Sequence, residues 1–277
     1  MPILLPTNQR PKPILKWVGG KTALVSRLGD LFPETCRRYI EPFLGGGAVL
    51  LALDSSIEAI ASDFNEEIIN LYKVVRDAPN ALMEKLDQMR EMHSEEFYYA
   101  LRKAERTNDL DRAVRTLFLN KTGFNGLYRQ NKKGEFNVPW GHKAKCPALY
   151  DRENLLNVSQ RLQNVSLTAC DFEQTIALAG DGDVVYCDPP YEPISKTSSF
   201  TGYVSGGFFM EHQKRLHDAV VSASGRGAHV FVSNSYCKNI LDLYEAHEIA
   251  TVDMKRSINS KGDARGKVKE VIVCMRR

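Results

Sequence analysis

Two hydropathy periods alternate along this chain. Short, mainly apolar runs, three of them followed directly by an Asp, recur at Tyr39–Phe43, Ile57–Ser62, 165–170, Asp183–Cys187 and 228–233. Continuous apolar runs of this length predict parallel strands buried on both faces. Between them, apolar positions three and four apart predict helices: one ending near Phe32-Pro33, one from Ala48, one over 151–163 and one over 210–223. Strand and helix in alternation predict an α/β fold with a parallel sheet. One block breaks the rhythm. From Ile68 to about Leu119 the spacing is helical throughout, as at Leu82, Leu86 and Met89, with no strand signal. It reads as an inserted helical subdomain, followed by a hairpin around Lys132-Lys133-Gly134. The organisation expected is 14–67 with 164–277 as one domain and 68–163 as an insert. Residues 1–13 read as a loose arm, 192–207 as a polar mobile loop, and the C-terminal end as strands around a Gly- and Lys-rich loop at Ser260–Lys267.

Composition narrows this little. The chain has 277 residues, 43% of them hydrophobic, and net charge +3, which describes a globular protein. The placement of charge says more. Lys121, Arg129, Lys132, Lys133, Lys143 and Lys145 face only Glu135 over 121–145, and a second basic zone covers 254–277. Residues 51–119 are more acidic than basic. Two basic zones set apart from a more acidic segment suit a polyanion held across one face. The six cysteines show no C-x-x-C spacing, so reduced core cysteines in a cytoplasmic protein are expected, without a disulfide framework or zinc site. Neither a signal peptide nor a membrane span is expected.

The candidate chemistry centres on Asp188-Pro189-Pro190-Tyr191, directly after the Asp183–Cys187 strand. Ligands of open α/β sheets bind beyond the carboxyl ends of the strands. Two prolines stiffen the turn and leave carbonyls without neighbouring N–H donors. A carboxylate, a rigid carbonyl and an aromatic face together suit a planar aromatic amine: Asp188 and the Pro189 carbonyl accept from the NH2, and Tyr191 stacks on the ring. The alternative is a plain strand-ending turn with a buried Asp.

Two glycine-rich stretches come earlier. Gly19-Gly20-Lys21-Thr22 is not a P-loop, because position 15 is Leu where the first glycine belongs. Leu44-Gly45-Gly46-Gly47 follows a short strand and lets backbone approach a ligand, at the expected start of a helix. Asp63 closes the next strand, where an acid takes ribose hydroxyls. An adenosine derivative is the ligand this pairing suggests. Asp63 as a helix N-cap is the competing reading.

The order of these parts strongly resembles the DNA adenine-N6 methyltransferases of the Dam type. The resemblance runs through Lys16-Trp17-Val18-Gly19-Gly20-Lys21, then Glu41-Pro42-Phe43-Leu44-Gly45-Gly46-Gly47, Asp63, and Asp188 to Tyr191. The segments Asn125–Arg129 and Gly134–Pro139 resemble that family's recognition hairpin. The resemblance spans about residues 14–273. It implies a class I S-adenosylmethionine-dependent methyltransferase fold, Rossmann-like, with a mostly parallel seven-stranded sheet and an inserted helical plus β-hairpin target-recognition domain. It implies S-adenosyl-L-methionine as cofactor, no metal, and double-stranded DNA as partner, with the protein a monomer or weak dimer. Carried over by position, Trp17, Lys21, Asp63 and Asp188 would bind the cofactor. Asp188, Pro189 and Tyr191 would be catalytic, and Lys16, Asn125 and Arg129 would contact DNA. The sequence departs from the family at His142, where many relatives carry Arg, and at Phe124, where some carry Tyr.

The resemblance implies methyl transfer to adenine N6 within GATC, on a base flipped from the duplex. Competing readings are a cytosine-N4 or RNA methyltransferase, a non-catalytic DNA-binding module, and an ATP-using enzyme. The recognition hairpin, the full catalytic set and the incomplete P-loop argue against them in turn. Repair marking, gene regulation and a role beside a restriction nuclease are all compatible with this sequence.

Overall fold

The computed structural model describes residues 3–17, 19–105, 108–131, 133–193, 208–255 and 267–276. Its centre is one seven-stranded sheet. The strands are β1 (Tyr39–Glu41), β2 (Ala59–Asp63), β3 (Val165–Ala169), β4 (Val184–Cys187), β5 (His229–Ser235), β6 (Glu248–Lys255) and β7 (Lys267–Met275). They lie in the order β3-β2-β1-β4-β5-β7-β6. The first five are parallel, whereas β7 runs antiparallel to both β5 and β6. Strand order reverses between β1 and β4. Their carboxyl ends, carrying Glu41 and the Asp188 turn, therefore open the crevice where such sheets bind ligands.

Alternate strand residues enter two separate cores, which is why Val184–Cys187 reads as an unbroken apolar run. Tyr39, Ala61, Tyr186, Phe231 and Ile272 pack into one. Ile40, Val185, Cys187, Val230 and Val273 pack into the other. Ile40 pairs with Ile60 on one side and Val185 on the other, fully buried. Truncating such a residue to Ala costs about 2–5 kcal/mol.

Nine helices are described: α1 (Val25–Leu31), α2 (Glu66–Asp77), α3 (Pro79–Glu91), α4 (Glu95–Lys103), α5 (Asp109–Thr122), α6 (Arg152–Arg161), α7 (Phe172–Ile176), α8 (Met210–Gly225) and α9 (Lys238–Leu243). Helices α7, α8 and α9 supply Phe172, Leu216 and Ile240 to the second core. Helix α2 packs against β2 and β3 on one side and α5 on the other. Its start is capped by Asn65, whose side chain accepts from Glu67 N–H at 3.1 Å. Asp171 caps α7 in the same way. None of the described helices is long and apolar enough to cross a membrane. All six cysteines are free thiols, with Cys187 and Cys274 buried.

Three local expectations change. Residues 3–13 are docked rather than loose: Ile3 and Leu4 are buried, Leu4 bridges Leu53, and Leu5 N–H donates to the Ala52 carbonyl at 2.8 Å. That docking also cancels the helix expected from Ala48. Only a three-residue 3-10 turn forms, Leu50–Ala52, because Leu53 goes extended to meet the arm. The glycine loop therefore presents its own backbone to the crevice and no helix dipole. The hairpin is a tight turn rather than two strands: Gln130 bridges Phe136, and Asn131 N–H donates to the Glu135 carbonyl at 2.9 Å. The expected loops over 192–207 and Ser260–Lys267 lie mostly outside the described residues.

Candidate active site

A cavity of about 720 Å³ opens at the carboxyl end of the sheet. That is the size of a site for a mid-sized organic ligand. Trp17, Lys21, Asp63, Asp188, Pro189 and Tyr191 all line it, so three separate chain segments converge there. Phe43 stacks on Phe172 at 5.3 Å and meets Phe208 edge-on, giving the crevice an apolar wall.

The Asp188 turn is held by a buried polar network behind it. Gln213 and Asn234 are fully buried, and Ser235 nearly so. Gln213 Nε2 donates to the Pro190 carbonyl at 3.0 Å, Asn234 Oδ1 accepts from Glu192 N–H at 3.1 Å, and Ser235 Oγ donates to the Glu192 carbonyl at 2.6 Å. Asn234 Nδ2 closes the network on Gln213 Oε1 at 3.1 Å. Satisfied buried networks of this kind fix one geometry. The Pro190 carbonyl is thus occupied, whereas no protein donor among the described residues reaches the Pro189 carbonyl.

Asp188 Oδ1 is buried and lies 3.1 Å from Lys21 Nζ, an ion pair that is not aligned as a hydrogen bond. Burial pushes the carboxyl up to about 6, against the pull of Lys21. Lys21, itself buried, donates to the Gly19 carbonyl at 2.8 Å and sits 4.4 Å from the centre of the Tyr191 ring. Glu41 lies deeper. Its Oε2 accepts from both Tyr39 O–H at 3.0 Å and Leu50 N–H at 3.1 Å. Burial first, with the Asp188 charge adding, drives its carboxyl up to about 8.

On the other flank, Asp63 Oδ2 accepts from Gly45 N–H and Oδ1 from Asn65 N–H, both at 2.9 Å. The cap of α2 is Asn65, so the cap reading of Asp63 fails. Asp63 instead ties the glycine loop to the end of β2. Burial raises its pKa, opposed by those two backbone donors. Gly45 has φ +46°, and a β-carbon there would stand 2.6 Å from Trp17 Nε1. The loop is glycine-rich because the Trp17 indole lies on it.

The three residues expected to contact DNA do not line this cavity. Lys16, Asn125 and Arg129 are exposed. Asn125 has φ +52°, a conformation Asn tolerates better than most side chains. Fully buried Asn120 locks this region together: it accepts from Lys16 N–H at 2.9 Å and donates to the carbonyls of Lys16 and Gly126 at 2.9 and 3.1 Å. Arg129 Nε donates to Asn137 Oδ1 across the turn at 2.7 Å. Lys121 is held down to about 8 by burial and by the Lys16 and Lys143 charges.

Several lining residues carried no sequence signal strong enough to single them out. Gln130 reaches the cavity and accepts from Asn65 Nδ2 at 3.3 Å, which brings the hairpin against the Asp63 flank. Arg215 also lines the cavity, bonded to Asp171 and Glu173 and packed on Phe172. Glu270 accepts from Tyr191 O–H at 2.8 Å. The available hints were a Gln on α8, Asn234-Ser235 closing an apolar strand, and an acid two residues before Ile272.

Residues 17–258 match the family model of the D12 class N6 adenine-specific DNA methyltransferases. The type II methyltransferase M1.LlaDCHI of Lactococcus lactis subsp. cremoris is 38% identical over 270 residues, covering 95% of this chain and 94% of the relative. The type II methyltransferase M.MjaIII of Methanocaldococcus jannaschii is 43% identical over 275 residues, covering 92% and 95%. The DNA adenine methylase of Haemophilus influenzae is 34% identical over 268 residues, covering 94% and 92%. With a seven-stranded, mostly parallel sheet and an Asp-Pro-Pro-Tyr turn at its switch point, this chain belongs to the D12 class of N6 adenine-specific DNA methyltransferases.

Proposed function

We propose that the protein methylates adenine N6 within GATC in double-stranded DNA, using S-adenosylmethionine and a target base extruded from the helix. The observation that carries the amine reading is the Asp188 carboxylate, which lines the cavity beside Pro189 and pairs with Lys21 through its buried Oδ1 alone. The two N–H groups of an adenine amine would satisfy that carboxylate and the Pro189 carbonyl. That pairing localises the nitrogen lone pair, which is otherwise delocalised into the ring. Asp188 would then take the surplus proton as the nitrogen gains the methyl group and the methyl–sulfur bond breaks to leave a neutral thioether. Positioning and electrostatics supply the rate.

The cavity's donor and acceptor set fits the cofactor. Its volume suffices, Asp63 presents a carboxylate for ribose hydroxyls, and Gly45 to Gly47 form part of the cavity wall. The cofactor supplies an electrophilic methyl group on a sulfonium sulfur. Trp17, Lys21 and Asp188 line the same cavity as Asp63 and complete the cofactor set.

A base inside a duplex cannot reach the turn, so it must be flipped at a cost of a few kcal/mol. Stacking on Tyr191 offsets part of that cost. Segment 68–163 serves as the target-recognition insert, with Lys16, Asn125 and Arg129 on base edges. Lys132, Lys133 and Lys143 hold phosphates. The oligomeric state expected is a monomer or weak dimer.

The test is transfer of labelled methyl groups to DNA and to RNA, followed by nucleoside analysis and methylation-sensitive sequencing of treated plasmid. N6-methyladenine confined to GATC is the expected product. Label in N4-methylcytosine or in RNA would overturn the substrate, and N6-methyladenine at other sites would overturn the sequence assignment.

A further inference from the structure

We propose that Glu270 is a positioning residue for methyl transfer, holding the Tyr191 ring at the angle on which the target base stacks. The inference rests on the amine reading of the Asp188 turn. Topology brings Glu270 to the site. Because β7 runs antiparallel to β5, its early residues lie at the carboxyl end of the sheet, where the parallel strands finish. Glu270 stands opposite Ser235, the last residue of β5, and opposite Val252 on β6. It shares a strand face with Ile272 and Cys274, which belong to the core around Tyr39 and Tyr186. An acid on that face is out of place in a purely structural strand.

What Glu270 holds there is Tyr191. The phenol O–H donates to Glu270 Oε2 at 2.8 Å. At the other end of the residue, the backbone is stiffened by Pro189 and Pro190 and anchored by Gln213 on the Pro190 carbonyl. An aromatic side chain fixed only at its backbone still rolls about its ring torsion, which is broad and roughly two-fold. The hydroxyl bond removes that freedom. Lys21 Nζ lies 4.4 Å from the ring centre and covers one face, so a stacking base takes the other. A carboxylate accepting the phenol proton also enriches the ring and strengthens its attraction for the Lys21 cation. Lys21 in turn lies 3.1 Å from Asp188. Glu270, Tyr191, Lys21 and Asp188 thus form one chain of contacts, and its far end, Asp188, faces the target amine.

The test is a double-mutant cycle on the full-length protein with duplex DNA and cofactor. Glu270→Ala and Tyr191→Phe should each lower kcat about tenfold with little change in cofactor KM. The Glu270→Ala/Tyr191→Phe double variant should be no worse than either single variant, because both remove the same bond. Glu270→Gln, which still accepts from the phenol, should recover to within about threefold of the wild type. With 2-aminopurine at the target position, Glu270→Ala should brighten the flipped base by releasing it from the ring. Multiplying losses in the double variant, or a Glu270→Gln variant no better than Glu270→Ala, would overturn the positioning role while leaving wild-type turnover in place. A wild type that moves no methyl group to a DNA amine would instead overturn the amine reading, and the role of Glu270 with it.

Discussion

Replacing Asp63 separates a loop brace from a cofactor ligand. Its two carboxylate oxygens each accept one backbone N–H, from Gly45 and from Asn65, at 2.9 Å. Asp63→Ala strips both acceptors. A buried donor left without a partner costs about 1–3 kcal/mol, so losing two costs about 2–6 kcal/mol of stability unless water reaches them. Asp63→Asn has the same shape but only one accepting oxygen, so its NH2 must point at one of the two donors. It should therefore lose at least half of what Ala loses, despite being isosteric. The remaining lone pairs of the carboxylate are the ones available to ribose hydroxyls. Removing those charged bonds should weaken S-adenosylmethionine binding by about 1–3 kcal/mol, roughly 5- to 150-fold in Kd. The assay pairs thermal melting with calorimetric titration of the cofactor, run well below each variant's melting point. A destabilised Asp63→Ala protein with unchanged cofactor affinity would refute the ribose role and leave Asp63 as a brace for the Gly45 loop.

Three further outcomes follow from the site. Because Asp188 must be ionised to accept from the amine, and burial places its carboxyl at about 6, kcat/KM should fall as pH drops through 6; a flat profile from pH 5 to 8 would exclude that requirement. Glu41 titrates near 8 when folded and near 4.5 when free, so the stability it contributes is full below pH 4.5 and is lost as pH rises to 8, on the order of 4 kcal/mol. Glu41→Gln can keep both bonds that Oε2 now accepts, so its melting temperature should lose that slope; parallel pH curves for the two proteins would place the titration elsewhere. Arg129→Ala should relax selection at one base pair by about 1–3 kcal/mol, whereas Lys133→Ala should weaken all sequences alike and flatten the salt dependence; sequencing of treated plasmids with unaltered selectivity in the Arg129 variant would remove it as the reader.

What the sequence revealed and what it hid follow the range of the interactions involved. Strand runs such as Val184–Cys187 were legible because burial on both faces writes itself into consecutive residues. The Asp-Pro-Pro-Tyr turn and the Gly45 loop were legible because their chemistry is local: prolines fix a turn, and glycines mark a close approach. The docked arm was not, since Leu4 finds its partner at Leu53 only once the glycine loop has turned. The same contact removed a helix that the spacing after Ala48 favoured, so one long-range pairing falsified two local readings. The supports of the Asp188 turn were hidden for a related reason. Gln213, Asn234 and Glu270 are polar residues on a helix and two strands, each unremarkable in its own segment. Their meaning comes from strand order. Only when β4 lies beside β5, and β7 enters antiparallel next to β5, do their ends meet at Asp188 to Tyr191. In this fold the proposed site groups are encoded locally and their alignment is encoded by topology, so substitutions far along the chain from Asp188 should change the rate without touching the substrate.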